Sequence, residues 1–155
     1  MRSPPPSPRP AGVEDAEAVA RLLHDFNREY DEPTPGLEVL AGRVRLLLAG
    51  GDAVLIIGPG PDGLAVLRFR PAIFSEALEC YLAELYVDPH RRGSGLGRAL
   101  MEAAIALARR KGADHMDLGT SENDVAARSL YESMGFNNRE GRPDGPLSYY
   151  YERAL

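Results

Sequence analysis

The octapeptide Arg91-Arg92-Gly93-Ser94-Gly95-Leu96-Gly97-Arg98 joins an apolar, strand-like run to an Ala/Leu-rich helical pattern, and it limits the fold more than any other stretch of the chain. Glycines at 93, 95 and 97 let the backbone turn sharply and approach a ligand. A helix that starts there directs its unpaired N–H groups into the turn. The arrangement suits a phosphate-bearing cofactor, a diphosphate above all.

The flanking elements follow from periodicity. Residues 78–87 are continuously apolar apart from Glu79 and Glu84, as expected of a central strand covered on both faces. Residues 96–110 place Leu96, Leu100, Ala103, Ala104, Leu107 and Ala108 on one helical face, with Arg109, Arg110 and Lys111 near its end and Gly112 as a cap. Residues 115–119 read as the next strand, so the unit has the length of a parallel βαβ crossover. Upstream, residues 13–30 and 37–48 read as amphipathic helices, 53–57 and 64–70 as an antiparallel hairpin. Downstream, 125–134 reads as a helix and 147–152 as a closing strand beyond a turn-rich loop at 139–146. The fold class is α/β.

A chain of 155 residues suits one domain, here 10–155, after a flexible Pro-rich segment at 1–9. The net charge of −5 gives no support for nucleic-acid binding. The lone Cys80 cannot form an internal disulfide and no Cys/His cluster has metal-ligand spacing, so a reduced, cytoplasmic protein without a metal is expected. No apolar run approaches membrane-spanning length, and the proline-rich start lacks the apolar core of a secretory signal.

Spacing separates the rival glycine motifs. The dinucleotide fingerprint G-x-G-x-x-G/A fails in both registers, because Arg98 or Leu100 takes its last position. The triphosphate loop needs G-K-[ST], and the only lysine is Lys111. What fits is R-x-x-G-x-G, Arg92 to Gly97, after a strand ending Glu84-Leu85-Tyr86-Val87. With Leu130-Tyr131-Glu132-Ser133-Met134-Gly135-Phe136 downstream, which matches L-Y-x-x-x-G-F, the chain resembles the GCN5-related N-acetyltransferase (GNAT) superfamily.

That resemblance implies a mixed, mostly antiparallel sheet with flanking helices and a splayed parallel βαβ site for acetyl-CoA. It implies that the amides of Arg92, Gly93, Ser94, Gly95, Leu96, Gly97 and Arg98 bind the pyrophosphate, with the Arg92 and Arg98 side chains able to pair with phosphate oxygens. The backbone of Leu85, Tyr86 and Val87 would meet the pantetheine arm. The family often has an asparagine seven residues before the tyrosine; Asp124 stands there and Asn123 one residue earlier, and either is also suited to cap a helix.

Acetyl transfer to an amine needs a base, because a primary amine is protonated below about pH 10, and an acid for the departing thiolate. Glu84 suits the base if partial burial raises its pKa, and an outward or arginine-paired carboxylate is the other reading. Tyr131 suits the acid, and a core tyrosine with a hydrogen-bonded hydroxyl is its other reading. On the resemblance, the acceptor enters near Asp31, Glu32, Glu38, Glu140 and Asp144. That acidity favours a cationic small-molecule or peptide amine, although a merely solvated acidic loop accounts for it too. The resemblance also carries the expectation of a homodimer. A non-catalytic acyl-CoA sensor is the alternative function.

Overall fold

The computed structural model describes residues 5–155. The chain divides into two compact units, one ending at Leu118 and the other beginning at Gly119. Residues 1–4 of the proline-rich lead lie outside the described residues.

In the first unit a five-stranded sheet runs in the order β1 (Arg9–Pro10), β2 (Ala53–Ile57), β3 (Gly63–Pro71), β4 (Leu78–Val87) and β5 (Ala113–Leu118). Every neighbouring pair is antiparallel except β4 and β5, which are parallel. The crossover between those two is α3 (Leu96–Arg110), as the strand–helix–strand pattern requires. Two earlier helices, α1 (Ala16–Glu29) and α2 (Leu37–Ala49), cover the opposite face. The helix expected over 13–30 begins as a single 3-10 turn at Val13–Asp15 before α1 proper.

Strand alternation sorts the core into two layers. Val54, Ile56, Leu64, Val66 and Tyr86 pack with Ala16, Val19, Ala20, Leu22, Ala41 and Val44 of the first two helices. Leu55, Ala65 and Leu67, on the other face, are equally buried, and α3 buries Leu96, Leu100, Met101, Ala104 and Ala108. Contact between α3 and the hairpin is close: a Cβ on Gly63 would lie 3.3 Å from Leu100 Cδ1 and 3.0 Å from Tyr86 O.

One irregularity organises the rest. Val66 faces Glu84 but Leu67 faces Leu82, so Ala83 is an extra residue in β4. Such a bulge reverses the alternation of side chains beyond it. Cys80 and Leu82 therefore share a face with Leu67, whereas Glu84 and Tyr86 turn to the face of Leu64 and Val66, where α1 and α2 lie.

The second unit holds α4 (Val125–Ser133). The closing strand expected at 147–152 is absent. Leu147 makes an isolated antiparallel bridge with Arg139, and Ser148 N donates to Asn138 O at 2.8 Å. Beyond it Tyr149, Tyr150 and Tyr151 are all exposed. Three consecutive tyrosines offer no apolar/polar alternation, so neither face is selected for burial.

Leu100 is fully buried in the layer under α3. Truncation by Leu100→Ala is expected to lower unfolding free energy by about 2–5 kcal/mol, read from the urea midpoint at unchanged m-value.

Candidate acetyl-donor site

Parallel pairing between β4 and β5 runs from Leu78↔Ala113 to Leu82↔Leu118 and stops there. From Ala83 onward β4 keeps β3 on one side and has left β5 on the other. Asp88 N donates to Asp62 O at 2.7 Å, which fixes the alternation of backbone groups at this end. By that alternation Tyr86 turns its amide and carbonyl towards Leu64 of β3, while Leu85 and Val87 turn theirs to the open edge. Of the three residues expected to contribute backbone, two thus face the gap and Tyr86 faces away from it.

The turn after β4 is built by local capping. Asp88 Oδ1 accepts from His90 N at 2.9 Å, and Arg91 N donates to Asp88 O at 2.8 Å. Gly93 and Gly95 then adopt φ of +80° and +85°, a region that L side chains rarely adopt. Ala99 N donates to Gly95 O at 3.1 Å, the first bond of α3, so the amides of Leu96 and Gly97 precede any acceptor within the helix. A Cβ on Gly93 or Gly95 would meet no atom within 4 Å. The space above the turn is open, and helix N-terminal amides with glycine backbone suit a diphosphate.

Two arginines of the turn meet carboxylates from elsewhere in the first unit. Arg92 Nη2 donates to both carboxylate oxygens of Glu29 at 2.9 and 2.8 Å, and its Nε donates to Val87 O at 3.0 Å. Its guanidinium also lies 5.6 Å from the Tyr86 ring centroid. Arg91 pairs with Asp62 at 3.0 Å. Glu29 and Asp62 had no signal in the sequence, because their partners are 63 and 29 residues away. Arg98 lies exposed in the first turn of α3.

Glu84 reaches solvent, yet burial of its surroundings pushes its carboxyl above the ordinary range. No arginine pairs with it among the ion pairs of the described residues. In the second unit Tyr131 is buried, its phenol pushed up to about 12, mainly by desolvation and secondarily by Asp124. Its ring meets Phe136 edge-on at 6.1 Å. Asp124 caps α4, accepting from Ala127 N at 3.1 Å, and Asn123 N donates to Ser121 Oγ at 3.2 Å. Cys80 is fully buried with its thiol raised to about 11, which leaves it inert as a nucleophile.

Residues 19–136 match the model of the acetyltransferase (GNAT) family. The chain belongs to that family. An uncharacterised N-acetyltransferase of Bacillus subtilis is 29% identical over 136 residues, covering 86% of this chain and 91% of the relative. A mycothiol acetyltransferase of Kineococcus radiotolerans is 38% identical over 131 residues; the match covers 81% of this chain but only 40% of that relative. The solved structure of an acetyltransferase candidate from Arthrobacter sp. FB24 has a TM-score of 0.88 and 43% identity, with 99% of both chains covered. The protein is therefore a GNAT N-acetyltransferase that uses acetyl-CoA. Among the described residues no helix is long and apolar enough to cross a membrane.

Backbone geometry separates two glycines of the turn. Gly95→Ala forces an L residue to φ near +85° and is expected to weaken CoA binding in calorimetry. Gly97 lies within α3, where no positive φ is required, so Gly97→Ala should weaken CoA binding less than Gly95→Ala does.

Proposed function

We propose that the acetyltransferase transfers the acetyl group to a primary amine by direct attack, with Glu84 as base and Tyr131 as acid. The observation that carries this reading is the Glu84 carboxyl: it lies beyond the bulge, on the stretch of β4 that β5 has left, and burial raises its pKa. A carboxylate raised towards the working pH accepts an amine proton more readily than an ordinary one.

The reaction balances with these groups. An ammonium acceptor first loses one proton to solvent by way of Glu84, directly or through a water. The freed nitrogen attacks the thioester carbon and then gives its second proton to Glu84. As the C–N bond forms and the C–S bond breaks, the Tyr131 hydroxyl gives its proton to the departing sulfur. The phenolate then takes a proton from solvent while Glu84 releases one. A phenol at about 12 is fully protonated at neutral pH, so the proton is present in every molecule.

The turn at 92–97 holds the donor's diphosphate through its amides, and the Leu85 and Val87 backbone meets the pantetheine arm. Asp31, Glu32 and Glu38 are exposed around the start of α2, which supports a cationic acceptor. The decisive assay supplies acetyl-CoA with polyamines, aminoglycosides, lysine peptides, N-terminal amines and the acceptor of mycothiol acetyltransferase, and reads free CoA. Amine-dependent thiol release is expected. Tight CoA binding with no amine stimulating release would instead make the chain an acyl-CoA sensor.

Two substitutions test the roles. Tyr131→Phe should lower kcat about 100-fold or more while CoA affinity stays close to the parent's; equal turnover would remove it as the acid. Glu84 acts only when ionised, so kcat/KM should fall as pH drops through its raised pKa. That acidic limb should disappear in Glu84→Gln, and an unchanged pH profile would dismiss it as the base.

A further inference from the structure

Glu29 lies in the last turn of α1, and nothing about its surroundings in sequence links it to the glycine turn. Both of its carboxylate oxygens nevertheless accept from Arg92 Nη2, at 2.9 and 2.8 Å. One turn back on the same helix, Phe26 stacks on the Tyr86 ring at 4.9 Å between centroids. Arg92 lies over that same ring and donates from Nε to Val87 O at 3.0 Å. A single guanidinium is thus tied to the end of β4, to an aromatic ring of β4 and to the end of α1. The Glu29 side chain is 26% exposed and that of Arg92 44%, so the pair is partly withdrawn from water.

Arg92 directly precedes Gly93, the first residue of the turn with positive φ. Glycine is the residue with most backbone freedom to lose, so a turn with glycines at 93 and 95 holds converging amides only if its ends are fixed. Its far end is fixed by α3. Its near end has the side chain of Arg92, whose rigid planar guanidinium can lie over a ring while its fixed donors reach a carbonyl and a carboxylate, a geometry that an ammonium does not reproduce. The carboxylate of Glu29 completes that set.

We propose that Glu29 is a positioning residue for the acetyl donor, acting through Arg92 to hold the turn in the form that receives the diphosphate. The proposal rests on the reading of the turn as the diphosphate site. Glu29 touches no reacting atom, so its effect falls on donor affinity and leaves the chemical step alone. Arg92 is a strut of the turn, its charge answered by Glu29.

The test measures CoA binding by calorimetry and steady-state kinetics with acetyl-CoA, using the full chain as parent, Glu29→Gln, Arg92→Gln and the double variant. Glu29→Gln should weaken CoA binding and raise the KM for acetyl-CoA by about five-fold, with kcat at saturation within about two-fold of the parent. The double variant should bind no more weakly than the poorer single, because both remove one linkage. Arg92→Lys keeps the cation but loses the fork, and should bind CoA as weakly as Glu29→Gln; it carries the test if Glu29→Gln does not fold. Unchanged CoA affinity in either variant overturns the proposal, as do additive losses or a fall in kcat at unchanged KM. Tighter binding by Glu29→Gln also overturns it, since Arg92 would then be a phosphate ligand that Glu29 restrains. A parent that does not bind CoA brings down the diphosphate reading itself, a result distinct from all of these.

Discussion

The extra residue at Ala83 is the constraint on which the donor site depends. Without it Glu84 and Tyr86 would share a face with Cys80 and Leu82, in the layer beneath α3. With it, Tyr86 joins the layer of α1 and α2, and Glu84 leaves the packed centre for a position reached by solvent. The same place marks the last residue pair of β4 with β5, Leu82 with Leu118. A bulge bends a strand and increases its twist, and a bent β4 cannot keep a straight parallel neighbour. Departure of β5 leaves the Leu85 and Val87 backbone groups without a strand partner, and unpaired backbone polar groups need a partner from somewhere. Arg92 supplies one, to Val87 O. A ligand with amides of its own is suited to the rest.

Features legible in the sequence are those with local causes. The βαβ unit follows from periodicity, and the break between strand and helix from glycines that the structure does hold at positive φ. Glu84 stood out as a charge in an apolar strand. Asp124 as a helix cap was legible because its partner, Ala127 N, is three residues away. The bulge carried no such mark, because Ala83 is an ordinary strand residue and the irregularity exists only in the pairing with β3. The closing strand was expected beyond the turn-rich loop, but three consecutive tyrosines have β propensity without alternation, which does not choose a face, and only Leu147 forms a bridge.

The Arg92 and Arg98 side chains suggest guanidinium–phosphate contacts beside the glycine turn, yet Arg92, like its neighbour Arg91, is answered by a carboxylate from a distant part of the chain, Glu29 for Arg92 and Asp62 for Arg91. Pairs that far apart in sequence leave no periodic trace. In the proposed reading, anion recognition then falls to the main chain. Amides at a helix start are fixed dipoles that need no reorganisation, provided the turn itself is held. In the proposed reading, holding the turn is the part of Arg92.

Desolvation raises both Glu84 and Tyr131, and in the proposed reaction this single cause has opposite uses. For a carboxyl, a higher pKa moves the group towards neutral pH and makes the ionised form a stronger proton acceptor. For a phenol, the same direction moves it further from neutral pH and keeps the proton on oxygen, available for a sulfur whose thiol ordinarily titrates near about 8.5. A phenol at about 12 is a weaker acid than a thiol in water, so transfer to the departing sulfur requires that the thiolate be kept from solvation, which raises its basicity. Exclusion of water at the departing sulfur is thus the condition under which the phenol can act.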